Sequence, residues 1–168
     1  AGETGAHCPL SALVAVSAPL ALAPSADRIN QGSSKIYQSY LLGRLKQSML
    51  AKLKRHSHFP LPLTAQQILA VRSIREFDDL LTAPLHGFSN ADEYYKLCSG
   101  KGFLKQIHKP TLLVHAEDDP FLSPAVLPKA TEMPPWVSLL LSKRGGHVGF
   151  VSGSNPFKPR YYLEQHIP

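Results

Sequence analysis

Three short apolar runs divide the chain and predict the strands of a sheet. They cover residues 10–16, 111–115 and 136–141. Each run is nearly continuous in aliphatic side chains, a pattern typical of parallel strands that are buried on both faces. Turn-forming polar residues follow the second and third runs, at 117–120 and 143–146. We therefore expect an α/β fold that contains three parallel strands.

Residues 124–133, between the second and third strands, predict a short helix. Strand, helix and strand at this spacing form a βαβ unit, whose crossover should be right-handed. Because three parallel strands leave edges and faces uncovered, the pattern indicates part of a larger α/β domain.

Residues 20–108 show helical rather than strand periodicity. Ser33 or Ser34 can cap a long helix that continues to about residue 54 and ends near His56. Shorter helices are expected at 65–73 and 91–99. The long helix has an apolar stripe at Tyr37, Leu41, Leu45 and Met49, with Leu42 and Leu50 beside it. Arg44, Lys46 and Lys52 lie away from the centre of this stripe.

These elements predict two parts in the chain. Residues 1–19 and 109–168 would form a partial α/β core, and residues 20–108 a helical insert between two strands of its sheet. No internal repeat or low-complexity tract interrupts this arrangement.

The net charge of +6 is concentrated in the helical insert. Residues 28–75 contain nine Lys and Arg and no Asp or Glu, whereas the rest of the chain has nine basic and twelve acidic residues. Such a basic segment suggests an anionic partner or surface, although a solvated polar face of the helix is the simpler explanation. No apolar stretch is long enough to span a membrane. The start of the chain lacks a signal-peptide pattern, and Cys8 and Cys98 read as free thiols, so we expect a cytoplasmic protein.

The chemistry is expected where the second and third strands end. Asp119 follows one of them in Glu117-Asp118-Asp119-Pro120, and His147 follows the other after Gly145-Gly146. Because the carboxyl ends of parallel strands meet at one edge of a sheet, both side chains should lie on the same rim. A carboxylate there can accept the Nδ1 hydrogen of the imidazole and stabilise the imidazolium that proton transfer creates. The order of acid before histidine is that of α/β-hydrolases, in which the serine precedes both.

A nucleophile is missing from this pattern. The nearest match to a Gly-x-Ser-x-Gly elbow surrounds Ser89, but no apolar strand precedes it, and it reads better as the start of the helix at 91. Ser17 and Ser99 lack the required glycine frame. His56-Ser57-His58 stands without a carboxylate or cysteine nearby, so we expect no metal, and no phosphate or dinucleotide loop predicts a cofactor.

Several segments together resemble the YheT-like branch of the α/β-hydrolases, a group of esterases. The resemblance covers nearly the whole chain, and Gly145-Gly146-His147-Val148-Gly149-Phe150 is its most specific part. The other matching segments are residues 14–19, Ile36-Tyr37 with residues 40–42, residues 76–79 with 82–84 and 87–88, Asp92 with Tyr94-Tyr95, residues 110–113, and Asp118-Asp119-Pro120-Phe121.

The resemblance implies a serine hydrolase acting on acyl esters or acylglycerols, without a cofactor. It implies Asp119, rather than Asp118, as the triad acid and His147 as the base. The nucleophile and the oxyanion hole would precede Ala1, so this chain would be the C-terminal part of the fold and would be inactive alone. Residues 20–108 would be the cap, with an apolar wall drawn from Tyr37, Tyr40, Phe77, Phe88, Tyr94 and Tyr95, unless these are ordinary core aromatics.

Two other interpretations remain open. The same fold supports acyl transfer as well as hydrolysis, since fold does not determine the reaction. Alternatively, the chain is a non-catalytic binding module whose basic segment meets nucleic acid or anionic lipid. The long basic helix suits a membrane surface better, so we expect peripheral contact with anionic membranes and no nucleic-acid partner.

Overall fold

The computed structural model describes residues 1–56, 63–152 and 158–167 of the 168-residue chain. It divides into two compact units. The first, called here the core unit, comprises Ala1–Ala21 and Ser99–Pro168, and the second, the helical unit, comprises Leu22–Cys98. The division into a hydrolase core and a cap at residues 19 and 109 stays a proposal.

The core unit is built on the expected three-stranded parallel sheet. Its strands are β1 (Leu13–Val16), β2 (Thr111–Ala116) and β3 (Val137–Ser142), in the order β1-β2-β3. The α/β class with three parallel strands is therefore confirmed. Burial on both faces holds for the central strand β2, but it is wrong for β1, where Val14 is exposed. A strand with a neighbour on one side only leaves part of its apolar surface uncovered.

Each face of the sheet has its own apolar cluster, as the alternation of side chains along a strand requires. One cluster consists of the buried side chains of Leu20, Leu104, Ile107, Leu113, Val126 and Val137. Partly buried residues that pack against it are Ala15, Ala18, Leu122, Met133 and Leu139. The other contains Val114, Ala116 and Phe150, with Val16, Leu112, Leu140, Tyr162 and Leu163 around it.

The connection from β2 to β3 is not the helix that the sequence predicted. Within 124–133 the only regular element is a 3₁₀ turn at Ala130–Glu132. Pro128 lies in the middle of the predicted helix, where it lacks the N–H and clashes with the preceding turn. The right-handed crossover remains a prediction.

The remaining elements of the core unit are short. Two 3₁₀ helices lie at Gly5–His7 and Gly100–Gln106. A small antiparallel pair, β4 (Val151–Ser152) and β5 (Arg160–Tyr161), is followed by a C-terminal helix at Tyr162–His166.

The helical unit contains the long helix α2, Ser34–Arg55, close to its predicted bounds. Ser33, one of the two predicted cap residues, occupies the N-cap position without a side-chain hydrogen bond to the helix. Ser34 is buried and accepts a hydrogen bond from Arg28 Nη1 at 3.1 Å. The other α-helices are α1 (Leu22–Ile29), α3 (Ala65–Ala70), α4 (Ile74–Phe77), α5 (Ala83–Leu85) and α6 (Ala91–Cys98).

The apolar stripe of α2 does not all face the interior. Leu42 is buried, and Met49 packs against the same cluster, but Tyr37, Leu41 and Leu45 are exposed. The reason is geometric: residues four apart in an α-helix advance by about 40° beyond a full turn, so a four-residue repeat drifts around the helix. Over the twelve residues from Tyr37 to Met49 the drift reaches about 120°.

A π-helical turn at Asp78–Thr82, which the sequence did not predict, connects α4 to α5. Asp78 accepts hydrogen bonds from Thr82 Oγ1 and from the hydroxyl of the buried Tyr95, both at 2.7 Å. The polar atoms that the turn brings inside are therefore paired, as buried polar groups must be.

Among the described residues, no helix is long and apolar enough to cross a membrane. Neither Cys8 nor Cys98 is in a disulfide.

Substitutions at Leu81 and Leu80 test which side of the π-helical turn contributes to the stability of the helical unit. Leu81 is 0% exposed and lies in the cluster with Leu42 and Ile68, whereas its neighbour Leu80 is 37% exposed. Leu81→Ala should therefore lower the free energy of unfolding by about 2–5 kcal/mol, because it leaves a cavity. Leu80→Ala should cost under about 1 kcal/mol. Urea denaturation followed by circular dichroism measures both, and equal losses would contradict the assignment.

Candidate active site

The two loops that carry the predicted acid and histidine leave neighbouring strands at the same edge of the sheet. In the register of β2 and β3, Ala116 pairs with Ser142, the last residue of β3. The ladder continues one step further, because Glu117 N donates to Ser142 O at 2.8 Å. The two loops therefore leave the sheet as neighbours, which brings their side chains within reach of each other.

Asp119 and His147 are in hydrogen-bonding contact. The distance from His147 Nδ1 to Asp119 Oδ2 is 2.9 Å. The Asp119 side chain is 3% exposed, and the imidazole, at 39%, reaches the surface. A neutral imidazole that donates from Nδ1 carries its lone pair on Nε2, so the contact selects the tautomer in which Nε2 can accept a proton.

The Asp119 carboxylate is held from its other oxygen as well. Asp119 Oδ1 accepts the backbone N–H of Phe121 at 2.8 Å, and Asp119 N donates to Ala116 O at 3.2 Å. The Phe121 ring meets the His147 ring edge to face, with centroids 4.4 Å apart. Phe121 thus orients both partners, one through its backbone and the other through its ring.

Asp118 joins the two loops instead of contacting the imidazole. Its Oδ1 accepts the backbone N–H groups of Gly145 and Gly146, each at 2.9 Å. Hydrogen bonds to a carboxylate are stronger than those between neutral groups. The two adjacent acids therefore have different tasks: Asp119 contacts the histidine, and Asp118 holds the turn that presents it.

The turn before His147 depends on its glycines. A Cβ on Gly145 would lie 2.6 Å from Cδ1 of Phe150 and 3.0 Å from Cβ of Ala116. Gly146 has φ +62°, in the left-handed region that glycine adopts without strain. Phe150 N closes the turn by donating to Gly145 O at 2.7 Å.

His115 is a buried histidine next to this pair, and no sequence pattern had marked it as a site residue. It is the fifth residue of β2 and is 1% exposed. In the part of the chain that the structure describes, neither ring nitrogen has a hydrogen-bond partner. Burial lowers the pKa of His115 below its usual value, and this outweighs the nearby Asp119 charge, which acts to raise it. Its place inside an apolar strand run was the available signal, since a lone histidine there must be neutral or paired.

Two of the serines weighed as nucleophiles, Ser89 and Ser99, belong to elements other than the sheet. Ser89 is exposed, and its N–H donates to the Glu93 carboxylate at 2.6 Å, while Asn90 Oδ1 accepts from Glu93 N at the start of α6. Ser99 precedes the 3₁₀ helix at Gly100–Gln106. Within the described ranges, His147 is hydrogen-bonded to Asp119 and to no serine.

Ser17 is the one of these serines at the sheet edge. It follows β1 with φ +49°, and its N–H donates to Val114 O at 2.8 Å. Its hydroxyl is buried without a partner among the described residues. A positive φ at a residue other than glycine is a strained conformation of the kind found at functional sites.

Residues 1–56, 63–152 and 158–167 contain no group of three or more His, Cys, Asp or Glu that could hold a metal ion. His56 is exposed at the end of α2, and Ser57 and His58 lie outside the described residues.

The chain is similar to several esterases and lipases. It is 44% identical to "Putative esterase YheT" of Escherichia coli over 166 residues, which are 99% of this chain and 48% of that protein. It is 32% identical to "Monoacylglycerol lipase" of Saccharomyces cerevisiae, covering 89% of this chain and 34% of the lipase. Identity to "Phospholipase ABHD3" of Mus musculus is 31%, over 95% of this chain and 39% of the phospholipase.

The chain spans less than half the length of each of these relatives. No family model matches it, and no solved structure matches it significantly. The resemblance drawn from the sequence motifs is confirmed by the first of these relatives.

His115 should make the fold sensitive to mild acid. Its pKa is lowered in the folded state, so below about pH 6.5 the unfolded chain takes up a proton that the folded chain does not. Stability is therefore complete above that pH and falls as the pH decreases below it. His115→Leu should flatten the decline in melting temperature between pH 7 and pH 5, relative to the parent chain and to the exposed-site control His86→Leu. Parallel curves for all three proteins would contradict this prediction.

Gly145 can be tested against a glycine with open surroundings. Gly145→Ala should destabilise the core unit by about 1–3 kcal/mol, because the new methyl group overlaps Phe150. A methyl group added at Gly43 in α2 would meet no described side chain within 4 Å, so Gly43→Ala should instead stabilise the chain by about 0.5–1 kcal/mol. Chemical denaturation gives both values, and a neutral Gly145→Ala would show that the turn is not closely packed.

Proposed function

We propose that the chain is part of a YheT-like α/β-hydrolase and that it supplies the acid and the base of a carboxylic ester hydrolase. The observation that carries the proposal is the 2.9 Å contact between Asp119 and His147. It follows the order and loop positions expected of a hydrolase triad. The named esterase and lipases among the relatives support ester hydrolysis as the reaction class.

In this proposal His147 Nε2 takes the proton from a serine hydroxyl as the oxygen attacks the ester carbonyl. The buried Asp119 carboxylate stabilises the imidazolium that results, without itself taking the proton. His147 then gives its proton to the leaving alcohol, which completes the acyl-enzyme. In the second half, His147 accepts a proton from water as the water attacks the acyl group, and returns it to the serine.

The nucleophile and the oxyanion-hole donors are proposed to come from a part of the polypeptide outside these 168 residues. Two observations support this: the described serines do not bond to His147, and the relatives are more than twice as long as the matched segment. The chain alone is therefore proposed to be inactive.

The proposed substrates are acyl esters or acylglycerols. This follows the printed names of the relatives, one of which is a monoacylglycerol lipase and another a phospholipase. The cytoplasmic location stays a prediction. Peripheral contact with anionic membranes is proposed for the same reason that the sequence indicated it, the basic segment at 28–75.

The triad assignment predicts the effect of removing each member in the full-length protein. His147→Ala should lower kcat for a p-nitrophenyl acyl ester by about 10³-fold or more, because the base is lost. Asp119→Asn should lower it by about 10²–10⁴-fold, because an amide can neither select the tautomer nor stabilise the imidazolium.

Two controls separate these effects from unfolding. His86→Ala, at an exposed histidine of the helical unit, should keep the activity. Every variant should keep the melting temperature of the parent to within a few degrees. Full activity in His147→Ala would refute the role given to the imidazole, and hydrolysis by the 168-residue chain alone would refute an external nucleophile.

A further inference from the structure

The outward face of α2 has large apolar side chains that stay exposed to solvent. The inward face is occupied: Leu42 is buried with Ile68, and Gln38 donates to Asn30 Oδ1 at 2.9 Å and accepts from Ile74 N at 3.4 Å. Large side chains nevertheless point outward, with Ile36 74% and Tyr40 67% exposed. The exposed set, called the outer α2 face below, is Ile36, Tyr37, Tyr40, Leu41 and Leu45.

These residues form one continuous patch. Ile36 and Tyr40 are four apart, as are Tyr37, Leu41 and Leu45, so two rows run side by side along the helix. Single exposed hydrophobic residues are common on protein surfaces, whereas several that adjoin on one face indicate an interaction site.

Two arginines lie on the same side of α2 as the patch. Arg44 continues the row of Ile36 and Tyr40, and Arg55, three turns further, falls on the same side of the helix. Both arginines are exposed, and among the described residues neither has an ion-pair partner. No Asp or Glu occurs between residues 28 and 75 to neutralise them.

We propose that the outer α2 face docks on the surface of an anionic phospholipid bilayer. An amphipathic helix lies in such a surface by inserting aliphatic and aromatic side chains to the level of the headgroups, while Arg and Lys contact the lipid phosphates. Tyrosine suits this depth because its ring is apolar and its hydroxyl stays in contact with water. Because α2 contains basic residues and no Asp or Glu, we expect it to prefer an anionic over a zwitterionic surface. This inference rests on the membrane contact proposed above, which it assigns to one face of α2, and it does not depend on the proposed hydrolase reaction.

The test is sedimentation of the full-length protein that contains this chain with large unilamellar vesicles. The protein should bind vesicles of equal parts phosphatidylglycerol and phosphatidylcholine, and bind pure phosphatidylcholine about tenfold less or weaker. Raising the salt from about 50 mM to about 500 mM should release it, because salt screens exposed charges.

The charge requirement is tested by Arg44→Glu/Arg55→Glu, which should weaken binding by about tenfold or more. The matched control Lys96→Glu/Lys105→Glu changes two exposed basic residues outside α2, and so has the same net charge. It should retain most of the binding. Equal losses in the two double variants would show only a general charge effect and would overturn the proposal.

The apolar requirement is tested by Ile36→Ser/Tyr40→Ser, against Leu69→Ser/Leu97→Ser at exposed leucines of α3 and α6. The first pair should weaken binding severalfold, and the second should not. If the variants do not fold, Tyr40→Trp in a Trp136→Phe background offers an independent measurement, because Trp136 is the chain's one tryptophan and brominated lipid should quench the fluorescence of a tryptophan at position 40.

Three further results would overturn the proposal. They are equal binding to neutral vesicles, absence of quenching in Tyr40→Trp, and a dimer in sedimentation velocity that Ile36→Ser/Tyr40→Ser abolishes, which would make this face a contact between copies. Vesicle binding by the 168-residue chain but not by a full-length protein would show that other residues cover the face, and would overturn it for the whole protein. None of these outcomes depends on ester hydrolysis, so failure here leaves the triad proposal to be judged by its own assay.

Discussion

The parallel pairing of β2 with β3 is the constraint on which the candidate site depends. Because the strands run in the same direction and end together, the acidic loop and the glycine loop leave the sheet side by side. The backbone bond from Glu117 to Ser142 then extends the ladder into the loops. A chain reversal at either strand would carry one of the two loops to the opposite edge, and no side-chain interaction could restore the contact.

Two adjacent carboxylates convert this backbone arrangement into a defined side-chain geometry. Asp118 binds the N–H groups of Gly145 and Gly146, which fixes the turn, and Asp119 binds the imidazole that the turn presents. The arrangement is preorganised, since the acid is buried and held by backbone before any substrate arrives. Preorganised groups lose little free energy to reorganisation during the reaction, which is why hydrolase sites are built on rigid strand ends.

The outer α2 face and the candidate site belong to different compact units, and they differ in the interactions that define them. In the core unit, buried polar atoms are paired at defined distances, with exceptions among the described residues that include His115 and Ser17. On α2 the relevant quantities are exposed apolar area and net charge, which act without specific partners.

The three strands, the long helix and the contact between Asp119 and His147 could be predicted from the amino-acid sequence, because apolar runs and the direction of parallel strands are local or topological properties. The sequence did not determine which way α2 faces: a four-residue repeat drifts around the helix, so Tyr37 and Met49 end on different sides, and only packing against Ile68 and its neighbours selects one. Nor did it reveal the bonds of Asp118 to the glycine turn, or the burial of His115 without a partner among the described residues. Those depend on distances between segments far apart in the chain, and such distances exist only once the sheet has formed.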